Sequence, residues 1–330
     1  MSGRRRPQQA IAVLLTMLAL GALGSTAAAA QTYPEKPVRI IVPSTPGGAI
    51  DITGRIIGGK LSEFWGQPVV VENRPGATMI VGAEMAAKSP PDGYTLFVAH
   101  DGTMAINSVI YPNLSYDPQR DFAPISLVAK IPLVLFVHNS VPAKSVTDLV
   151  ALAKASPGKL NHAAGGTATV LAIELFKFMA KVDVVNIQYK GAANAVTSTV
   201  GGETQLCFAD LASANAGLQS GQVRPLAVAS LERARLRSDL PTIDGSGVPG
   251  YEANTWMAMF APAATPKPIL SKIEADVIRA MNQPDIRQRF ESLSMELQSG
   301  TSDELRRQLA ADIAKWSKLV KAADLHFDPP

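Results

Sequence analysis

The chain has 330 residues, 47% of them hydrophobic and 18% charged, with a formal net charge of +3. A chain of this length can bury a large core and is typical of two domains. Its single cysteine, Cys207, excludes an internal disulfide and a metal site built from thiolates. Because Cys207 lies in the apolar run 206–209, we expect it to be a small buried side chain.

Residues 1–30 have the three parts of a secretory signal peptide. Three arginines at 4–6 are followed by the apolar segment 11–23 and by small residues at 28–30. The apolar segment is shorter than the ~20 residues that a membrane-spanning helix needs, which disfavours the alternative of an N-terminal membrane anchor. We therefore expect a soluble mature protein that begins near Gln31 and works in the periplasm.

Removal of this leader changes the charge balance. Residues 1–30 hold three arginines and no acidic residue, so the rest of the chain has 28 basic and 28 acidic residues. The mature protein is then close to neutral, and the basic charge of the whole chain gives no argument for binding nucleic acid or acidic lipid. We expect no nucleic-acid partner.

The segment 43–51 is predicted to be a loop between a strand and a helix. The mostly β-branched run 38–42 precedes it, and apolar residues at helical spacing follow it. Gly47 and Gly48 leave backbone amides uncovered at the start of the helix, where partial positive charge favours an anion. In an open α/β sheet such loops lie outside the carboxyl ends of the strands, where ligands bind. The alternative is that the glycines only make the turn and that Asp51 only caps the helix.

The elements that follow alternate between strands and helices, an order that favours parallel strands with helices on the faces of the sheet. The predicted elements are a strand at 69–72, a helix at 79–88, a strand at 94–99, a long strand or two collinear strands at 122–138, and a helix at 146–155 that starts with a capping box at Ser145.

The strand-Gly-Gly-helix pattern then recurs. A predicted strand at 160–164 leads through Gly165, Gly166 and Thr167 into a helical pattern at 170–178. This repetition strengthens the interpretation of both loops as anion-binding loops. The remaining predicted elements are strands at 184–189, 205–210, 224–229 and 255–261, a helix after Gly191, and helices at 269–281, 285–293 and 302–323, the last with Thr301 and Glu304 spaced as a capping box.

These elements predict an α/β fold with two domains of the periplasmic binding protein type (type II-like). The first domain comprises 31–133 and 255–330, and the second comprises 134–254. Two segments that cross between the domains would form a hinge, with a ligand cleft between the domains.

Motifs of known enzyme classes are not matched. The stretch 54–61 follows the phosphate-loop pattern except at its last position, and it lies inside a predicted helix. The sequence contains no GxSxG or HExxH, and its four histidines are scattered. We therefore predict no catalytic residue, no metal site and no cofactor, and we interpret Asp51 and Asp210 as capping or supporting residues rather than catalytic ones.

An ordered set of short motifs resembles the Bug family, the substrate-binding receptors of tripartite tricarboxylate transporters of TctC type. The resemblance implies a periplasmic two-domain receptor that closes on a small carboxylate and, in some systems, passes it to a membrane permease or a sensor kinase. The motifs cover essentially the whole mature chain and lie at 43–51, 73–77, 91–96, 116–118, 121–125, 157–161, 174–177, 189–191 and 261–263.

The resemblance also implies which residues contact the ligand. Two loops, one from each domain, would hold the carboxylate with backbone amides. The implied contacts are Ser44, Thr45, Gly47, Gly48 and Asp51 in the first domain, Ala164, Gly165, Gly166 and Thr167 in the second, and also Tyr189, Asp210 and Thr103.

The chain departs from the family pattern at two of these places. Family members often have phenylalanine at the position of Ser44 and histidine at the position of Val170. We therefore expect a pocket of different shape and polarity. The alternative function is an exported enzyme acting on a carboxylated molecule, with Asp51, Asp210 or His162 as acid and base; a ligand-sensing module is a variant of the receptor. We expect a monomer.

Overall fold

The computed structural model describes residues 33–327 of the chain. The predicted signal peptide lies outside these residues. Within them, the helices are either too short or too polar to cross a membrane.

The described residues form eleven strands and ten α-helices of at least four residues. The strands are β1 (Val38–Val42), β2 (Val69–Asn73), β3 (Thr95–His100), β4 (Phe122–Ile131), β5 (Leu133–His138), β6 (Asn161–Ala164), β7 (Val185–Gln188), β8 (Leu206–Asp210), β9 (Val223–Val228), β10 (Thr255–Pro262) and β11 (Glu296–Gly300). The helices are α1 (Ala49–Trp65), α2 (Ile80–Ala87), α3 (Asn107–Ile110), α4 (Val146–Ala155), α5 (Thr167–Ala180), α6 (Ala192–Val200), α7 (Leu211–Gln219), α8 (Lys267–Met281), α9 (Pro284–Ser292) and α10 (Ser302–Ala322). Single 3-10 turns lie at Ala77–Met79, Arg235–Arg237 and Asp244–Ser246. A π-helical turn lies at Gly102–Ile106.

The first sheet has the strand order β11-β4-β10-β3-β1-β2. Strand β1 pairs in parallel with β2 and β3, as the alternating sequence pattern predicted. Strand β10 pairs antiparallel with β3 and β4, and β11 pairs antiparallel with β4. Helix α1 lies close to this sheet because Gly54 and Gly58 face it: a Cβ on Gly54 would lie 3.0 Å from Val42 Cγ2.

The second sheet has the order β7-β6-β8-β5-β9. Strand β6 pairs in parallel with β7 and β8, and β5 pairs antiparallel with β8 and β9. Buried aromatic rings of Phe176, Phe208 and Tyr251 pack together on one face of this sheet. The mixed α/β architecture with two sheets confirms the predicted fold class.

The chain passes between the sheets twice, at neighbouring places. Pro132 separates β4 from β5, and the return lies just before β10, where Thr255 pairs with Ile131. The register places both crossings at the carboxyl ends of the parallel strands: Met257 pairs with His100 at the end of β3, and Leu133 pairs with Asp210 at the end of β8. The carboxyl edges of the two sheets therefore lie on either side of the crossings. The domain limits given above remain a prediction.

Besides the four-residue helix α3, two longer elements were missing from the sequence-based prediction. Strand β11 is a short, half-buried edge strand with little apolar alternation. Helix α7 is rich in small residues, and its start is marked only by the Asp210 cap. Both lack the apolar periodicity from which the other elements were predicted.

Candidate functional site

The first loop connects β1 to α1 at the carboxyl edge of the first sheet. Gly47 has a left-handed backbone (φ +86°), which favours glycine, whereas Gly48 is extended (φ −74°). Helix α1 has no side-chain cap on its first amides. Thr45 and Gly47 are exposed, and Ser44 and Gly48 are half-buried. The loop thus presents backbone rather than large side chains to its surroundings.

Asp51 lies beneath this loop and is only 2% exposed. Its carboxylate accepts hydrogen bonds from the Gly47 amide at 2.8 Å, from Asn73 Nδ2 at 2.9 Å and from Arg55 Nε at 3.0 Å. Burial alone would raise the pKa of Asp51, but the hydrogen bonds from Arg55, Gly47 and Asn73 together lower it. This geometry supports the capping interpretation of Asp51, and a direct contact of Asp51 with a ligand remains a prediction.

Asn73, at the end of β2, was not among the predicted site residues. Its amide donates to the Ser44 carbonyl at 3.0 Å as well as to Asp51, and its Oδ1 accepts from Arg55 Nη2 at 2.9 Å. Asn73 therefore ties the first loop to the neighbouring strand. The sequence signal was its place immediately after a β-branched run, in a motif that we used only for the family resemblance.

The second loop connects β6 to α5 at the carboxyl edge of the second sheet. A Cβ on Gly165 would lie 2.5 Å from Ala192 Cα, so the close approach of the next loop requires glycine there. A Cβ on Gly166 would meet no atom within 4 Å, and Gly166 is exposed. The buried Thr169 hydroxyl accepts from the Gly165 amide at 3.0 Å and donates to the Gly166 carbonyl at 2.8 Å, which fixes the loop from below. Sequence reasoning missed Thr169.

The four predicted residues of this loop lie together, but they differ in how far they are exposed to solvent. Ala164 is buried, and its carbonyl accepts from the Tyr189 amide at 2.8 Å. Gly165 and Thr167 are half-buried at the start of α5. The loop therefore offers Gly166 and the first amides of α5 as its most accessible groups.

Tyr189 and Asp210 lie at the same edge of the second sheet, as the end positions of their strands predicted. The Tyr189 hydroxyl lies 2.6 Å from Ser198 Oγ. Asp210 caps α7 by accepting from the Ser213 amide at 2.8 Å and from its hydroxyl at 2.7 Å. Both polar groups already have partners inside the protein.

Thr103 lies in the π-helical turn after β3 and is fully buried. Its hydroxyl lies 3.4 Å from Met79 Sδ and 3.5 Å from His100 Nδ1, and its carbonyl accepts from the Tyr116 hydroxyl. In this arrangement the side chain of Thr103 faces the interior of the protein, and its role as a ligand contact remains a prediction.

His162, the proposed base of the enzyme alternative, is fully buried in β6. Its Nε2 accepts from the Phe208 amide at 3.1 Å, and its Nδ1 lies 3.0 Å from Asn186 Oδ1. Burial lowers the pKa of His162 to about 4, so the ring is neutral at physiological pH. The imidazole therefore links β6 to Phe208 in β8 and to Asn186 in β7, which is a structural role.

Two cavities of the described residues lie away from the glycine loops. Among residues 33–327, no group of three or more His, Cys, Asp and Glu side chains is arranged to hold a metal ion. A cavity of about 840 Å³ lies near Phe122, Lys267 and Arg306, at the opposite end of the first sheet from the crossings. A smaller one of about 380 Å³ adjoins Tyr111 and Arg120. Neither cavity is lined by the two glycine loops.

Comparison with known proteins places the chain in a family. The family model described as the tripartite tricarboxylate transporter family receptor, TctC, matches residues 54–325. Protein BugT of Bordetella pertussis is 32% identical over 295 residues, which cover 88% of this chain and 90% of BugT.

Two solved structures extend the comparison to the fold. Rpa4515 of R. palustris, solved with adipate, is 34% identical with a TM-score of 0.75, covering 89% of this chain and 99% of that one. MatC (Rpa3494) from Rhodopseudomonas palustris, solved with bound malate, is 29% identical with a TM-score of 0.71, covering 87% of this chain and all of that one. The chain therefore belongs to the TctC family, the periplasmic solute-binding receptors that include the Bug proteins, as its ordered motifs predicted.

Proposed function

We propose that this protein captures a small carboxylate between the first loop (43–48) and the second loop (164–167), and holds it with their backbone amides. The single observation that carries the proposal is that both loops lie at carboxyl edges on either side of the crossings. Each loop opens a helix, α1 or α5, whose first amides have no side-chain cap. Amides at a helix start favour an anion.

The space above the loops supports this proposal. A Cβ on Gly166 would meet no atom, and one on Gly48 would make only ordinary contacts, the nearest at 3.6 Å from the Thr45 carbonyl. Packing within the protein therefore does not require glycine at either position. A ligand that approaches the backbone closely would require it.

Neutral donors can supply the affinity. A hydrogen bond to an ionised group contributes roughly 1.5 to 3 kcal/mol. Three or four such bonds, reduced by the cost of association and ordering, are compatible with the ~8 kcal/mol of micromolar binding. The guanidinium of Arg55, beside the first loop, is already engaged with Asp51 and Asn73.

Adipate and malate are the first ligands to test. The R. palustris proteins Rpa4515 and MatC were solved with adipate and malate respectively, and both share the fold over nearly the whole chain. We propose a ligand of this class for the present protein, and a tripartite-type permease as the recipient of the ligand. A sensor kinase would be an alternative recipient of the same bound state.

The enzyme alternative gains no support from the geometry. Its candidate acid and base groups, Asp51, Asp210 and His162, are held by internal hydrogen bonds. We propose that the protein binds its ligand without converting it. Recovery of the ligand unchanged after overnight incubation is the expected result, and turnover that is abolished by Asp51→Asn would contradict it.

We also propose export with cleavage near Gln31, as the N-terminal pattern predicts. N-terminal sequencing of protein recovered from the periplasm should begin at or near this residue. A protein that keeps residues 1–30 and sediments with membranes would instead support the anchor alternative.

A thermal-shift screen tests the binding proposal. The mature protein is unfolded and refolded to remove carried-over ligand, then heated with mono-, di- and tricarboxylates, including adipate and malate. At ~100 times Kd a ligand adds ~2.7 kcal/mol, which raises the Tm by a few degrees. We expect a shift with carboxylates that is lost with the corresponding amides. A cooperative transition without a shift for any carboxylate would overturn the proposal.

A further inference from the structure

Three consecutive residues after β2 have a left-handed backbone. They are Ala77 (φ 43°), Thr78 (φ 52°) and Met79 (φ 73°), none of which is glycine. This conformation is unfavourable for residues with a Cβ, and most so for a β-branched residue such as Thr78. Such strain persists only where the surroundings enforce it, and it is concentrated at functional sites.

Contacts from the segment that follows β3 enforce this turn. The buried Asn107 donates from Nδ2 to the Thr78 carbonyl at 3.0 Å. The Thr103 hydroxyl lies 3.4 Å from Met79 Sδ, and the Tyr111 hydroxyl lies 3.5 Å from Thr78 Oγ1. The conformation of the turn is therefore determined by residues near β3, far from it in sequence.

The turn lies at the carboxyl edge of the first sheet, beside the first loop. Asn73 and Val42 pair at the ends of β2 and β1, and the Arg74 amide donates to the Val42 carbonyl at 2.8 Å. On the other side of the turn, a Cβ on Gly82 would lie 2.8 Å from Pro43 Cα, which shows how closely α2 approaches the start of the first loop. The turn thus passes from the end of β2 across the start of the first loop towards the π-helical turn after β3.

Burial of its side chain does not explain why Thr78 has a strained backbone. Ala77 and Thr78 are exposed, whereas Met79 is half-buried against the core. An exposed, β-branched residue in left-handed conformation would be replaced by glycine if only the turn mattered. The hydroxyl is what glycine cannot supply.

We propose that Thr78 is a specificity-determining residue whose hydroxyl donates a hydrogen bond to the carboxylate held by the first loop. This inference rests on the proposed function. The turn then forms a third wall of the ligand site, next to the two glycine loops. The contacts of the turn fix the position of this hydroxyl, which lies 3.5 Å from the Tyr111 hydroxyl within the protein.

Three variants of Thr78 separate the hydroxyl from the strain. Thr78→Val keeps β-branching and removes the hydroxyl, and we expect its Kd for the carboxylate that shifts the wild type to rise about tenfold or more. Thr78→Ser keeps the hydroxyl, and we expect its Kd to stay within about threefold of the wild type. Thr78→Gly relieves the strain and removes the hydroxyl, so the unliganded Tm should rise by about 2 °C while binding weakens as in Thr78→Val.

Ala77→Gly is the matched control, because it relieves left-handed strain one residue earlier and leaves the hydroxyl in place. We expect it to raise the unliganded Tm and to bind within about threefold of the wild type. Calorimetric titration with adipate, malate or the best ligand of the screen gives each Kd.

The outcomes distinguish the two proposals. If the wild type binds and both Thr78→Val and Thr78→Gly bind equally well, the role of Thr78 is overturned and the receptor function stands. If Thr78→Val does not fold, the comparison of Thr78→Gly with Thr78→Ser and Ala77→Gly decides in the same way. If the wild type binds no carboxylate, the proposed function is overturned, and the role of Thr78 with it.

Discussion

The two neighbouring glycines of the second loop differ in whether packing within the protein requires them. Gly165 lies against Ala192, where any Cβ would overlap the backbone. Gly166 has an extended backbone (φ 165°) that any residue can adopt, and the space around its missing Cβ is empty within 4 Å. Only the second glycine is left for a ligand to explain.

Gly166→Val should therefore lose carboxylate binding without destabilising the fold. We expect its unliganded Tm to stay within about 1 °C of the wild type, because no atom must move. Gly48→Val should behave in the same way, since its Cβ makes only ordinary contacts. Thermal unfolding measures the first effect and calorimetric titration the second.

Gly165→Val is the matched control for this pair. Its Cβ would lie 2.5 Å from Ala192 Cα, so its Tm should fall clearly even without ligand. Normal binding by both Gly48→Val and Gly166→Val would show that the ligand site does not lie between these loops.

The position of Asp51 singled it out in the sequence, but that position alone did not distinguish its two possible roles. Its place in the loop made it a predicted ligand contact and, in the alternative, a cap. The structure gives its carboxylate three internal donors, from Gly47, Asn73 and Arg55. Its lowered pKa keeps it charged and in contact with these donors at neutral pH.

At the scale of elements, the junction of β3, β10 and α10 contains a buried pair of acidic side chains. Asp312 on α10 accepts from Trp256 Nε1 at 2.7 Å and from Lys315 Nζ at 2.8 Å. Asp101, which follows β3, is 2% exposed, and its Oδ1 has no partner among the residues that the structure describes. Burial first, and then the charge of Asp312, raises the pKa of Asp101 to about 8.

The raised pKa predicts how stability depends on pH. The contribution of Asp101 is complete below its unfolded-state pKa of about 4 and is lost as the pH rises through about 8. Asp101→Asn cannot ionise, so its Tm should rise relative to the wild type as the pH is raised from about 5 to about 9. Thermal unfolding in a buffer series measures this difference.

Asp285→Asn provides the control for that series. A hydrogen bond from Lys60 lowers the pKa of Asp285, so this exposed carboxylate stays charged throughout the range. Its substitution should shift the whole curve without changing its slope. If the curve of Asp101→Asn runs parallel to that of the wild type, Asp101 does not titrate as its burial predicts.

At the scale of the whole molecule, the two crossings join two separate sheets at the carboxyl ends of their parallel strands. Each crossing is short, and Thr255 pairs with Ile131 between them. Other links between the two halves include the packing of α10 against α5 and the exposed ion pair of Arg235 with Glu291, and exposed pairs contribute little. This arrangement is typical of hinge closure around a ligand.

We predict that a carboxylate brings the two loops closer together. Spin labels on Gly59→Cys in α1 and Ala193→Cys in α6, both exposed positions outside the proposed ligand contacts, would report the distance between the first sheet and the second. The native Cys207 is buried, and burial raises the pKa of its thiol to about 12, so it should not react with the label. Pulsed electron resonance should show a shorter mean distance at saturating ligand.

Labels on Gly59→Cys and Lys88→Cys serve as the control, since both exposed positions lie on the side of the first sheet. Gly59 is exposed, and a Cβ there meets no atom within 4 Å. Their distance should not change. An unchanged distance for the pair that spans the sheets, with ligand shown to be bound, would contradict hinge closure.

The sequence by itself determined those features that depend on a few neighbouring residues. A strand-like run followed by two glycines predicted each strand-to-helix loop, and Thr301 with Glu304 predicted the capping box that starts α10. The order of the short motifs predicted the family. These features follow from local backbone preferences, which act over a few residues.

Only the tertiary structure decided how those features meet. Antiparallel pairing of β10 with β3 and of β5 with β8 brings the two carboxyl edges to the crossings. Burial and hydrogen bonds from distant residues engage Asp51 and His162 within the protein and hold Thr78 in a left-handed turn. Such roles depend on partners far away in the chain, and the local sequence pattern carries no information about those partners.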